Sequence, residues 1–184
     1  SRAGFGSLST AISVHSEIVA PYILHIGTEA QKQYWIPKMV SGEAPGAIGM
    51  TEPGAGSDLQ AIRTSAILTG DHYVVNGSKT FISNGQHAGI VILAVKTDPA
   101  ARAKGVSLLL VDTTLDGFKT GTNLEKIGLH SQDTSELFFD NMKVPADQLL
   151  GQAGQGFTYM MQELPRARLG IAVTALGAMQ GCID

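Results

Sequence analysis

Thr64-Ser65-Ala66-Ile67-Leu68-Thr69-Gly70-Asp71-His72-Tyr73-Val74-Val75-Asn76-Gly77-Ser78-Lys79-Thr80-Phe81-Ile82-Ser83 is the stretch on which the fold turns. Short β-rich runs are broken by Gly, Asp and Asn, which is how strands joined by tight turns are written. The spacing predicts strands over 64–69, 73–75 and 79–83, separated by Gly70-Asp71 and by Asn76-Gly77. Asn-Gly signals a type I′ hairpin because both residues tolerate positive φ, so a β-meander is expected. Further runs at 90–95, 106–111 and 136–144 add enough strands for a barrel or a sandwich. No strand-helix-strand alternation accompanies them, which argues against a dinucleotide-binding doubly wound sheet.

Outward from this core the pattern is helical on both sides. Leu8, Ile12, Val19 and Ile23 are spaced one or two turns apart, so 8–40 is expected to be helical and divided by Pro21. Thr28 followed by Gln31 forms a capping-box start for the second helix, which should end near Ser41-Gly42. Beyond 151–156, Phe157, Met160, Met161 and Leu164 lead into an Ala-rich helical run that Pro165 should kink or interrupt. The expected class is therefore α+β, with a β-barrel-like middle domain over 45–150 between helical segments at 1–44 and 151–184. The chain starts without an evident domain start and stops inside a helical pattern without a C-cap, so it is expected to be truncated at both ends.

Composition narrows the partners. The chain has 184 residues, is 43% hydrophobic and carries a formal net charge of -3, enough to bury a core and without a basic cluster to hold nucleic acid. Its longest apolar runs are strand-sized, far short of a bilayer span. The single cysteine, Cys182, points to an intracellular protein, and His15, His25, His72, His87 and His130 lack metal-site spacing, so no metal is expected. Ser1 opens directly into Arg2-Ala3-Gly4-Phe5, so a targeting segment is expected to be absent or already removed.

The segment Met50-Thr51-Glu52-Pro53-Gly54-Ala55-Gly56-Ser57-Asp58 follows the strand-like Ala47-Ile48. Its glycines allow close backbone approach, and Thr51 and Ser57 can hydrogen-bond the edge of a polar planar ligand. On glycine content alone an ordinary Pro/Gly connection reads as well. A phosphate-binding P-loop would need Lys and then Ser or Thr after its second glycine, whereas Gly56 is followed by Ser57-Asp58. A hydrolase elbow would need Gly-x-Ser-x-Gly, which Ser57 does not satisfy, leaving a Ser57, Asp58 and His72 or His87 triad with little support.

Taken with Asn76-Gly77-Ser78-Lys79-Thr80-Phe81-Ile82-Ser83-Asn84-Gly85, and with Gly128-Leu129-His130 through Thr134-Ser135-Glu136-Leu137-Phe138-Phe139, that loop resembles the acyl-CoA dehydrogenase family. Gln33-Tyr34-Trp35-Ile36-Pro37 and Gln162-Glu163-Leu164-Pro165-Arg166-Ala167-Arg168-Leu169 extend the resemblance over nearly the whole chain and lean to its long-chain-like branch. The resemblance implies FAD and an acyl-CoA thioester meeting at the junction of the middle and helical domains, with α,β-dehydrogenation to a trans-2-enoyl-CoA. Ile48, Gly49, Met50, Thr51, Gly56, Ser57, Phe81, Ile82 and Ser83 then correspond to flavin walls, with Phe81 on the ring face and Ser83 near N5. Without it Phe81 in an alternating strand reads as a core aromatic. Ser57, Arg102 and Arg168 become candidates for contacts to the CoA side, against ordinary readings as a capping serine, a loop arginine and a surface arginine. An electron-transferring flavoprotein as acceptor, a homotetramer or dimer, and a cytoplasmic location in a bacterium or a mitochondrial matrix location in a eukaryote are implied as well.

The chain departs from the family at its base. Long-chain-like members carry Glu immediately before the Arg of this motif, and here the position is Ala167, so no catalytic residue is identified. Glu52 and Asp58 flank the turn and are expected to support it, while Glu163 lies about a turn before Ala167. An acyl-CoA oxidase, or a non-catalytic flavin- or CoA-binding module of the same fold, remains open beside the dehydrogenase.

Overall fold

The structure, a computed structural model, describes residues 6–183; 1–5 and 184, and with them the expectations for the chain start, lie outside the described residues. α1 (Gly6–Ser13) passes through a π-helical stretch (Val14–Val19) into α2 (Ala20–Ile26). Pro21 does not break the path as expected. It sits in the first turn of α2, where its missing N–H is least felt, and the Ala20 N–H reaches back to the His15 carbonyl in the wider π register. Of the four periodic positions, Val19 and Ile23 are fully buried, whereas Leu8 and Ile12 are exposed. α3 (Glu29–Ser41) has both halves of the expected capping box, Gln31 N–H to Thr28 Oγ1 at 3.2 Å and Thr28 N–H to Gln31 Oε1 at 3.0 Å. It stops at Gly42, whose φ of 81° is the left-handed C-cap geometry.

The strands are β1 (Gly46–Gly49), β2 (Ser65–Thr69), β3 (His72–Ser83), β4 (Ile90–Lys96), β5 (Val106–Asp112), β6 (Phe118–Asn123), β7 (Thr134–Pro145) and β8 (Leu149–Leu150). They form one mixed sheet in the order β6-β7-β3-β2-β4-β5-β8, with β1 parallel to β4. A single apolar cluster gathers Leu137 and Met142 of β7 with Leu109 and Val111 of β5, so the sheet wraps around a shared interior. β4 and β5 are buried on both faces. Val91, Leu93 and Val95 point into that interior, while Ile90, Ile92 and Ala94 meet Val19, Tyr22, Ile23, Trp35, Met39 and Met160 of the helices. Two cores thus share one ribbon, which fixes the helices against the sheet.

Two expectations are overturned. Asn76-Gly77 is not a hairpin: β3 runs unbroken for 12 residues, and the pair forms a bulge where register with β7 shifts. The Asn76 side chain bonds Asn141 across the ladder, and Gly77, with φ 145°, lies so close to Thr64 that a Cβ would stand 2.6 Å from its hydroxyl. The β2–β3 turn lies at Gly70-Asp71, as expected, with Gly70 at φ 63°. Of the kink or interruption expected at Pro165, the interruption does not occur, and α4 (Gly156–Ile183) runs through it. The carbonyl it leaves without a donor belongs to Met161, and both residues are exposed, so water can take its place. From Leu169 onward α4 shows apolar side chains to solvent, Leu176 and Ile183 among them. No helix among the described residues is long and apolar enough to cross a membrane, and among them no group of three or more His, Cys, Asp or Glu could hold a metal ion.

Candidate functional site

β1 delivers the 50–58 loop to the end of β3. Backbone bonds between Glu52 and Ala55, 2.9 and 3.0 Å, close the Pro53-Gly54 turn. Thr51 is stitched to β3 in both directions, accepting the Thr80 N–H at 3.0 Å and donating its hydroxyl to the Thr80 carbonyl. Its hydroxyl oxygen keeps lone pairs for a ligand. Beneath the turn the Glu52 carboxylate accepts the Arg63 N–H at 2.6 Å, the Thr64 N–H at 3.0 Å and the Lys79 ammonium at 2.8 Å. Lys79 also donates to the Met50 carbonyl at 3.1 Å, and its side chain has no exposed surface.

The electrostatics of this pair are one-sided. Burial pushes Lys79 down to about 8 against the pull of Glu52. At Glu52 burial acts upward, but the charge and hydrogen bond of Lys79, with the bonds from Thr64 and Arg63, outweigh it and hold the carboxyl below its usual range. Glu52 therefore supports the turn as anticipated. Asp58 instead caps the next turn, Leu59–Ala61, its carboxylate accepting the Gln60 N–H at 3.1 Å.

One residue beyond Thr80, Phe81 adopts φ 60° and is 68% exposed, at a second bulge of β3 against β7. The strand period would bury it; the left-handed turn throws the ring outward while Ile82 stays in the interior at 2% exposure. Ser83 follows, half-buried and paired with Thr134. The geometry thus ties Met50 to Lys79 and Thr51 to Thr80, next to Phe81 and three residues before Ser83, leaves Gly56 and Ser57 open on the loop, and buries Gly49 under Leu93 and Lys79. Arg102 is exposed at φ 47° on the 99–105 turn, which packs on the 59–61 turn just after Ser57. Arg168 is exposed on α4, and no described hydrogen bond or ion pair joins either arginine to the loop.

A small recess between the π-helical stretch, α2, α4 and the loop is lined by Glu17, Ile18, Tyr22, Met50, Glu163, Leu164 and Ala167. Ala167 and Glu163 therefore both border the loop. Glu163 is held by the His25 imidazole at 2.8 Å, and Glu17 accepts the Ser13 hydroxyl at 2.8 Å. The Tyr22 hydroxyl is buried without a hydrogen-bond partner, and burial first, then the charge of Glu163, makes it harder to ionise. Sequence reasoning missed Tyr22, His25 and Lys79. Only Lys79 left a signal, a charge inside an apolar alternating strand.

These features define an α+β protein with a seam where a curled sheet meets helices. The pattern of the acyl-CoA dehydrogenase middle domain matches residues 47–142, more than half of the chain, and that of the N-terminal domain matches 1–43. The chain belongs to the acyl-CoA dehydrogenase family. It is 51% identical over 170 residues to the mitochondrial long-chain specific acyl-CoA dehydrogenase of Sus scrofa, covering 91% of this chain and 40% of that one. The crystal structure of an acyl-CoA dehydrogenase from Geobacillus kaustophilus superimposes with a TM-score of 0.94 at 53% identity, over 96% of this chain and 47% of that one. A glutaryl-coenzyme A dehydrogenase solved with glutaryl-CoA gives a TM-score of 0.94 at 40% identity, over 100% and 46%. The chain thus spans less than half the length of these relatives.

Proposed function

We propose that the chain is the flavin-binding part of an FAD-dependent acyl-CoA dehydrogenase that converts an acyl-CoA thioester to its trans-2-enoyl-CoA. The observation carrying this is Phe81, a large aromatic turned out to solvent at a positive φ beside Thr51 and Ser83. A left-handed backbone at a bulky residue costs on the order of 1–3 kcal/mol, and an exposed ring returns little of that unless a ligand covers it. The local fit to a flavin is good. A planar ring needs an aromatic face, polar groups at its edge and backbone able to come close. Phe81, the hydroxyls of Thr51 and Ser83, and the open Cβ positions of Gly54 and Gly56 supply these. Arg102 and Arg168, with Ser57, would meet the CoA side. The division into 1–44, 45–150 and 151–184 belongs to the same reading.

FAD, when bound, supplies the acceptor for the substrate's β-hydrogen. This chain's residues do the orienting: Thr51 and nearby amides at the ring edge, Phe81 on its face, and Ser83 beside the reacting end. We place the α-proton acceptor outside these 184 residues. Ala167 cannot take a proton, and the recess carboxylates Glu163 and Glu17 are engaged by His25 and Ser13. An electron-transferring flavoprotein as acceptor, a homo-oligomer, and a matrix or bacterial cytoplasmic location follow from the family; the pig relative is named mitochondrial. Ala167 favours one second reading, a non-catalytic flavin- or CoA-binding module. Anaerobic addition of acyl-CoAs of graded length to the complete native protein tests both. A yellow protein bleached by one of them supports the dehydrogenase, a yellow protein that none bleaches supports the module, and a colourless protein sinks the flavin reading.

A further inference from the structure

Lys79 is a cation with no exposed side-chain surface in a strand whose other inward residues are mostly apolar. Its ammonium grips the 50–58 loop on both sides of Thr51, at the Met50 carbonyl and the Glu52 carboxylate. Glu52 is anchored in turn by the Arg63 and Thr64 amides. In the other direction Lys79 leads straight into Thr80, whose N–H and carbonyl both bond Thr51, and then into the left-handed Phe81. Loop and aromatic are thus tied together within a few residues of the buried pair.

Such a pair is a poor source of stability, because removing two ions from water offsets most of their attraction, and an apolar pair of similar size often holds a core as well. The downward push on Lys79 shows desolvation winning at that end. Apolar side chains could not hold the Met50 carbonyl at a set distance from β3. We infer that Lys79 and Glu52 are positioning residues that fix the separation between the 50–58 loop and Phe81, and so the width of the slot that the flavin reading places between them. What fills the slot rests on the flavin reading; the clamp concerns only atoms of this chain.

The test uses the complete native protein and the double variant Lys79→Met/Glu52→Gln, which removes both charges and keeps an acceptor for the Arg63 and Thr64 amides. Lys79→Met alone leaves a buried anion and should melt lower than the double variant. The expected double variant melts within about 5 °C of the parent. Its Thr80 amide exchanges with solvent at least about tenfold faster while β4 and β5 are unchanged. Its FAD dissociation constant, read from flavin fluorescence quenching, rises at least about tenfold. Unchanged Thr80 exchange at retained stability overturns the inference. So does a double variant that fails to fold, since the pair would then hold the fold rather than the slot. If the parent takes up no FAD, the flavin reading fails, and Thr80 exchange alone decides for or against the clamp.

Discussion

At Ser83 a half-buried hydroxyl lies two residues from the outward Phe81 ring. If it faces the reacting end of the flavin, it matters most as negative charge builds there, so Ser83→Ala in the complete protein should slow flavin reduction about tenfold or more. Acyl-CoA affinity should change less than about threefold. Rapid-mixing reduction against substrate concentration separates the two, and an unchanged limiting rate would remove Ser83 from the mechanism. Lys79 makes a claim about pH. Its folded value of about 8 lies below the 10.5 of an exposed lysine. Between those values the unfolded chain holds a proton that the folded chain has released, so stability should rise with pH across the window, by at most about 1.4 kcal/mol per pH unit. Lys79→Met should flatten this rise, leaving the smaller part owed to the buried Lys96. Urea melts at pH 8 and pH 10 read it directly; the same slope in both proteins would count against Lys79. Ala167 offers the third residue test. It borders the recess where the Tyr22 hydroxyl lacks a partner, so the carboxylate of Ala167→Glu would find a donor as well as crowding by Glu163. If the second reading holds and the protein has lost its base here, long-chain acyl-CoA should bleach the flavin of this variant where the parent stays yellow, at some loss of stability; with the base outside these 184 residues, as proposed, the two should bleach alike. A parent protein that already bleaches at a rate the variant does not exceed would put the base elsewhere.

At the scale of elements, the Gly77 bulge is the sharpest case. Gly77→Ala would force a side chain into φ 145° and into Thr64, and should lower stability by about 2 kcal/mol or more. Wild-type denaturation midpoints would refute the packing argument. The same bulge shows where sequence reading ends. A hairpin turn and a bulge both call for a residue at positive φ, and the choice between them was made by Thr64 and by Asn141, 65 residues from Asn76. The capping box was legible because Thr28 and Gln31 answer each other three residues apart. β4 and β5 were legible because continuous apolar runs of strand length have few other fates. β6, with Lys119, Thr120 and Gly121 at its centre, has no alternating pattern and was missed. In the site, the Met50 to Asp58 loop and Phe81 announced themselves through motif resemblance. The Glu52–Lys79 contact, 27 residues apart in sequence, and the recess between α2 and α4 belong to tertiary structure alone.

For the whole molecule, surface is the first issue. Leu169, Ile171, Val173, Leu176, Met179 and Ile183 are each more than half exposed along α4, a larger apolar display than a monomer usually carries in water. The 184-residue chain on its own should therefore self-associate, and Leu176→Lys with Met179→Lys should reduce this. Light scattering against concentration measures it, and a monodisperse parent at high concentration would be the contrary result. On the flavin reading the same chain should hold FAD far more weakly than the complete native protein, because Thr51, Phe81 and Ser83 would embrace only the ring end of so long a cofactor; tight stoichiometric binding by the chain alone would contradict that. Time adds a second issue, through the parallel pairing of β1 with β4. Gly46 lies beside Ile90, and no short hairpin can bring them together, whereas β4 and β5 need only the 97–105 connection. Loop closure over long separations is slow, so the β4–β5 ribbon is the natural nucleus and β1 a late arrival. During synthesis the strand that delivers the loop leaves the ribosome before its partner does and waits for it unpaired. For that interval the loop hangs from a strand with nothing to lie against, so the moment at which it is placed is set by the arrival of β4.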